Sequence, residues 1–392
     1  MTVGTRTRVL ISGSGIAGSS LAHWLARHGG FDVTVVERAP AFRPGGQAID
    51  VRGPALDVAE RMGILPSLRE HATDMLGMSV VDGSGREVYR STERTLTGGE
   101  LASPDVEIMR DDLNEIIQRA CPGGVAYRYG DWVIALDDRD EEGVRVAFRE
   151  APPETFDLVV GADGLHSAVR AAAFGPERGF IHHLGSYLAV FTAPNFLNLD
   201  RWQVFCRAGE PGAEVFGGVM SARDNSESRV YLGFGSEEPL EYDVRDVAAQ
   251  RRLVAERLTG AGWEFDRIVK YLWDAADFHF DSMSQIHMDS WSRGRVVLLG
   301  DAGYCGSPMS GQGTSMAMVG AYVLAGELKT AAGEHRAAFA AYEGELREYV
   351  AGNQAIALTS RQRMAAEVDG TADALDLPRL EDVVHGLRLK DY

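Results

Sequence analysis

The chain has 392 residues, 45% of them hydrophobic and 24% charged. That is enough for two or more domains with a sizeable packed core, and it excludes disorder over most of the length. The formal net charge of −18 disfavours nucleic-acid binding and adhesion to anionic membranes.

Residues 8–12 (RVLIS) read as a buried parallel strand. A glycine turn follows, then helical spacing over 16–28, then a second buried strand at 33–37 (VTVVE). Residues 53–62 predict a helix ended by Gly63. Residues 76–90 predict an antiparallel hairpin with Asp82-Gly83 as its turn. A short helix is expected over 111–120, alternating strands over 125–150, and another buried strand at 157–160 (DLVV). Residues 178–290 are rich in aromatic and β-branched side chains, and predict a largely antiparallel sheet with one helix, 244–259. Residues 295–299 (RVVLL) return to the buried parallel type. Long helices follow over about 313–332 and 334–367. The end, from about 365, is left open between a docking helix and a loose tail.

No stretch reaches the ~18 apolar residues that a membrane span needs. Cys121, Cys206 and Cys305 are widely spaced and odd in number, so neither a disulfide framework nor a metal site is expected. A reducing cytoplasm, with no leader segment, is the simplest expectation. The histidines, including the adjacent His182 and His183, show no ligand spacing.

Three turns carry the chemistry. Gly13, Gly15 and Gly18 form G-x-G-x-x-G between a strand and a helix, spanning Ser14, Ile16 and Ala17. The glycines allow a tight turn, close approach of a pyrophosphate and close helix–strand packing, and the helix N-terminus favours an anion. Glu37 ends the next strand, 22 residues after Gly15, where its carboxylate can accept from an adenosine ribose and would repel a 2′-phosphate. The second turn is Gly-Ala-Asp-Gly at 161–164. The third is the segment 300–313, Gly-Asp-Ala-Gly-Tyr-Cys-Gly-Ser-Pro-Met-Ser-Gly-Gln-Gly.

In this order the three turns resemble the class A flavoprotein monooxygenases, typified by para-hydroxybenzoate hydroxylase. The likeness is greatest to the compact members that hydroxylate polyketides or inactivate tetracyclines. It covers roughly residues 8–175 and 290–330, and only the layout is similar in between. The resemblance implies an α/β protein: a Rossmann-like FAD-binding domain with an inserted antiparallel-sheet substrate domain and a C-terminal helix. The expected boundaries are 1–75, 106–177 and 286–333 for the first domain, 76–105 and 178–285 for the second, and 334–392 for a C-terminal helical segment.

The resemblance further implies non-covalent FAD. Gly13 to Gly18, Glu37 and Arg38 would hold the ADP half. Asp301 would bind the ribityl chain or pyrophosphate, and Gly311, Gln312 and Gly313 would lie at the flavin pyrimidine edge. Asp163 would serve both FAD and NAD(P)H. Arg43, Asp50 and Arg110 match residues near the nicotinamide path, the flavin ring and FAD, with plain ion pairs as the other reading of each. NAD(P)H, with NADPH favoured, would reduce the flavin. Dioxygen would form a C4a-hydroperoxide that oxygenates an aromatic or polyketide-type small molecule, by hydroxylation or Baeyer–Villiger insertion. No catalytic side chain is singled out, and the oligomeric state is left open.

The pattern also departs from the family. Gly303-Tyr304-Cys305 stands where a histidine often follows Gly-Asp-Ala-Ala, Ser315 is near a common asparagine, and Gly320 replaces a common aspartate. A related halogenase or saturase-type reductase, and a FAD-containing protein that shelters an intermediate without oxidising it, stand as alternatives. The Trp-x-Trp-x-Ile-Pro element of tryptophan halogenases is absent. Tyr187, Phe191, Trp202, Phe205, Phe216 and Phe234 alternate in expected strands, as core or as cavity wall.

Overall fold

The computed structural model describes residues 6–42, 44–95, 99–138, 142–209, 214–368 and 380–392. A six-stranded sheet runs in the order Ser292–Arg293, Val296–Leu298, Leu158–Gly161, Thr7–Ser12, Phe31–Glu37 and Val125–Tyr129, parallel except for the first pair. Its central strands are continuous Val, Ile and Leu runs because helices cover the sheet. Helix Ile16–His28 packs against helix Gly313–Thr330. The latter is apolar all round and buried from Thr314 to Leu328, as expected of a central helix.

The second large sheet has seven strands: His279–Ile286, Ile181–Pro194, Glu227–Gly235, Val215–Ala222, Trp202–Ala208, Gly77–Val81 and Glu87–Ser91. Its pairs are antiparallel except Trp202–Ala208 with Gly77–Val81. One face packs on helices Val247–Leu258 and Phe265–Asp274 through Phe191, Val219, Val230, Leu232 and Phe234. Side chains alternate along each strand, so Gln203, Phe205, Phe216, Met220, Arg229 and Tyr231 share the other face. A two-stranded ribbon, Ala48–Val51 with Val106–Met109, lies against that face. A three-stranded meander, Val133–Asp138, Val144–Phe148 and Glu154–Phe156, completes the strands.

Local chemistry explains the ends. Pro54 opens helix Pro54–Met62 and Gly63 closes it in the left-handed conformation at φ 78°. The Asp246 side chain accepts from the Ala249 N–H and starts helix Val247–Leu258. Two expectations are corrected. Residues 265–274 are a second helix in the inserted region, burying Phe265, Ile268, Val269 and Leu272 at helical spacing. Strand Val125–Tyr129 joins the parallel sheet and is not part of the alternating meander.

The C-terminal end is ordered against the rest. Tyr392 lies over Gly326, where a Cβ would come within 2.2 Å of its ring. Its hydroxyl donates to Glu327 (2.9 Å), and Lys390 pairs with the same carboxylate (2.8 Å). Short helix Leu380–Val384 places Val384 against Gly53. Residues 369–379, between these parts, lie outside the described residues. No described helix is long and apolar enough to cross a membrane.

Candidate active site

The three glycine turns meet at the carboxyl ends of neighbouring parallel strands, where ligands bind in open α/β sheets. Gly13, at φ +102°, would drive a Cβ to 2.4 Å from the Ala162 carbonyl oxygen. Gly18 packs more tightly still, since its Cβ would lie 2.0 Å from the Gly13 carbonyl oxygen. Gly15 is different. A Cβ there would meet nothing within 4 Å, so its bare backbone borders open space. No side chain caps the helix it precedes, and the first turn holds no acidic residue. The Glu37 carboxylate accepts from the Ser14 N–H (2.9 Å), the Ser14 hydroxyl (3.1 Å) and the Ala39 N–H (2.9 Å). It thereby fixes the turn while remaining partly exposed.

The third turn closes on the first. A Cβ on Gly300 would come within 3.1 Å of the Ala17 methyl group, and one on Gly313 within 3.8 Å of Asp301 Oδ1. Asp301 is embedded deep in the fold yet exposed, so it lines a deep cleft. Burial raises its carboxyl above the usual range. Helix Gly313–Thr330 also starts without a side-chain cap or an acid in its first turn. The amide of Gln312 is wholly buried with neither its nitrogen nor its oxygen bonded.

These features fit a flavin dinucleotide. Open space over Gly15 and an uncapped helix end suit a pyrophosphate. A cleft-facing Asp301 suits a hydroxylated chain, and a second uncapped helix end suits the electron-rich edge of a flavin.

The remaining expected residues are placed as follows. The Asp163 carboxylate is bonded within the protein, accepting from Ser12, Ser167 and the Ala168 and Val169 amides. The open side of that turn is Gly164, where a Cβ would meet nothing within 4 Å. Arg110 opens helix Arg110–Ala120 and reaches the Gly45 carbonyl (3.4 Å), and the Gly45 N–H donates to Asp111 (2.7 Å). Arg38 is exposed and sits 5.5 Å from the Trp132 ring centre. Asp50 is buried on the ribbon and pairs with Arg52 at 3.2 Å. Arg43 lies outside the described residues.

Tyr304 and Gly320, both departures from the family pattern, prove to be one packing unit. The Tyr304 hydroxyl fills the space beside Gly320, where a Cβ would come within 2.1 Å of it. Tyr342 holds that hydroxyl at 2.9 Å and Trp291 packs on the ring, with centroids 4.5 Å apart. Cys305 is buried, bonds the Ser284 carbonyl, and burial pushes its thiol well up.

Next to the second turn, His166 joins the two large sheets. Its Nδ1 meets Glu177 at 2.9 Å and its Nε2 meets Asp281 of strand His279–Ile286 at 3.1 Å. Burial opposes the charged ring, but the two carboxylates outweigh it and push the pKa up to about 10.

The sequence reading did not single out Glu107, Gln203 or Tyr231. Glu107 accepts from Thr73 (2.6 Å) and from Gln203 (3.2 Å). The Tyr231 hydroxyl accepts the Ala48 N–H (2.9 Å). Burial, then the neighbouring Asp50, raises Glu107 to about 7. An acid inside the otherwise apolar Val106–Met109 strand was the available signal. Of the six aromatics, Tyr187, Phe191 and Phe234 belong to the core, while half-buried Phe205 and Phe216 lie on the ribbon-side face.

The cleft fits a flavin dinucleotide, and the family and relatives of the chain make it a flavin-dependent monooxygenase. A family model described as an FAD binding domain matches residues 6–352, and the chain belongs to this family. It is 34% identical to a flavin-dependent monooxygenase of Legionella longbeachae, covering 98% of both chains. An uncharacterized protein of Mycobacterium tuberculosis is 48% identical, over 98% of this chain and 99% of its own. Among solved structures, the tetracycline destructase Tet(51) matches with a TM-score of 0.86 and 33% identity, over 99% of this chain and 100% of that one.

Proposed function

We propose that this FAD-dependent monooxygenase uses NAD(P)H, with NADPH favoured, and dioxygen to oxygenate an aromatic or polyketide-type small molecule. The observation that carries the reading is the convergence of three glycine turns on one cleft, open at Gly15 and faced by Asp301. FAD, when bound, supplies electron transfer from the nicotinamide to dioxygen and delivery of one oxygen atom to the substrate.

The chain's own residues bind, orient and exclude water. The amides of the Gly13–Gly18 turn and the helix behind it receive the pyrophosphate. Glu37 accepts from the adenosine ribose, and Asp301 from hydroxyls of the ribityl chain. The start of helix Gly313–Thr330 stabilises negative charge at the pyrimidine edge. Contact from the second turn comes through its main chain at Gly164, since the Asp163 carboxylate is bonded internally. Arg110, with Gly45 and Gly46 folded against it, contacts FAD. The seven-stranded sheet and the ribbon roof the site, and their apolar residues keep water from the reacting atoms. Because Tet(51) is named as a tetracycline destructase, tetracycline-like polyketides are the first compounds to try.

Anaerobic mixing of the FAD-loaded protein with NADPH or NADH tests the reading. Bleaching of the flavin is expected, faster with NADPH and faster still with an accepted polyketide. No bleaching by either nucleotide would remove nicotinamide-driven oxygenation.

A further inference from the structure

The third turn brings Asp301 and Gly313 together, with a Cβ on Gly313 within 3.8 Å of Asp301 Oδ1. Its middle, Cys305 to Ser307, is buried. There the chain leaves helical geometry, at φ −48° and ψ 127° for Cys305, and Ser307 stands at φ 70°. A residue other than glycine keeps that conformation only where its surroundings fix it. The carbonyls of such a stretch belong to no regular ladder, and buried ones need donors from elsewhere.

Two buried glutamines supply those donors. Gln285, in strand His279–Ile286, donates to the Gly306 carbonyl (3.2 Å) and to the Gln354 carbonyl (2.7 Å). Gln354, on helix His335–Val368, donates to the Cys305 carbonyl (3.1 Å) and to the Ile286 carbonyl (2.9 Å). Each amide spends its N–H groups on main-chain carbonyls. The Ile286 N–H adds a bond to the Cys305 carbonyl (3.1 Å). The Gln285 side-chain oxygen meets His287 Nε2 at 2.9 Å. Since the amide nitrogen is committed to two carbonyls, the imidazole is the donor in that bond. Strand His279–Ile286 is an edge of the seven-stranded sheet, and its Asp281 also holds His166 beside the second turn. One strand therefore fastens both later turns to that sheet.

We propose that Gln285 and Gln354 are positioning residues for FAD. They form a clamp that keeps segment 300–313 in the shape in which Asp301 and the start of helix Gly313–Thr330 serve the cleft together. This deepens the functional reading above and rests on it. The glutamines act through the carbonyls of Cys305 and Gly306 and not by touching the cofactor. Without their N–H groups these buried carbonyls lose partners, and the segment relaxes toward shapes in which its two ends part. The cleft then loses the Asp301 contact and the helix end at once. The loss is greater for reduced flavin, because its added negative charge depends on that helix end.

The test compares FAD affinity and flavin midpoint potential in Gln285→Met and Gln354→Met, whose side chains are of similar length but carry no donor. Each should bind oxidised FAD about tenfold or more weakly. A further tenfold loss for the reduced form would place the potential about 30 mV lower. Gln354→Asn is a milder change that should act in the same direction, and it carries the test if the methionine variants do not fold. Phe265→Leu, in the core on the far face of the sheet, is the control. It should lower the melting temperature of the apoprotein and leave FAD affinity and potential native. Native affinity and potential in the folded glutamine variants overturn the proposal. So does an equal change in Phe265→Leu at a matched melting temperature. Failure of the functional reading is seen separately, as native protein that takes up no FAD or is not reduced by nicotinamide.

Discussion

Gly15 and Gly18 belong to one fingerprint but do opposite things, and two substitutions separate them. At Gly15 the backbone is extended, with φ −69° and ψ −174°, a conformation open to any residue. A Cβ there meets nothing within 4 Å, so Gly15→Val adds atoms only to the cleft. The folded apoprotein should lose about 1 kcal/mol or less, the cost of a poorer residue at a helix start. The same atoms occupy the position assigned to the pyrophosphate. Losing two or three charge-assisted hydrogen bonds at about 1.5–3 kcal/mol each amounts to a 100-fold or greater loss of FAD affinity, at about 1.4 kcal/mol per decade. Gly18→Ala is the converse. Its Cβ would lie 2.0 Å from the Gly13 carbonyl oxygen, so strand and helix must move apart, costing about 3 kcal/mol in the apoprotein. Thermal unfolding of both apoproteins, with FAD titration followed by flavin fluorescence, reads the two effects. A yellow Gly15→Val protein with native FAD affinity would refute the assignment of the turn. So would a Gly15→Val apoprotein as unstable as Gly18→Ala.

Asp301→Ala should leave the apoprotein folded and weaken FAD retention on dialysis, whereas unchanged flavin content would remove Asp301 from the site. Gly320→Ala should destabilise by about 1–3 kcal/mol through its clash with the Tyr304 hydroxyl. Tyr304→Phe in the same chain should recover part of the loss, and thermal melts that show no recovery would contradict the pairing. The His166 pKa is raised on folding from 6.5 to about 10, so the link to Asp281 contributes fully below pH 6.5 and is lost as pH rises through 10. Stability should therefore fall over that window, and His166→Gln should flatten the fall. A native profile no steeper than the variant's would dismiss the link.

The parts of this molecule governed by local rules were legible in the sequence. Buried Val and Ile runs gave the parallel strands, and glycine spacing gave the turns that meet in the cleft. Helix Phe265–Asp274 was hidden because its aromatic and β-branched residues also suit a strand, and only the spacing of Phe265, Ile268, Val269 and Leu272 distinguishes it. Glu107 was hidden for another reason. Whether an acid in a strand faces water or is enclosed depends on what packs across from it, and Gln203 and Tyr231 come from strands about 100 residues later in the chain. Likewise Tyr304 and Gly320 read as two separate departures, and only their contact makes them one.

The central claim is oxygen transfer by a flavin held in this cleft. The most direct measurement supplies the FAD-loaded protein with NADPH, a tetracycline-like polyketide and isotopically heavy dioxygen, and analyses the product by mass spectrometry. The account predicts a product carrying one heavy oxygen atom, formed in step with NADPH consumption. NADPH consumption that yields only hydrogen peroxide across the polyketide and phenolic panel, with no labelled product, would contradict it.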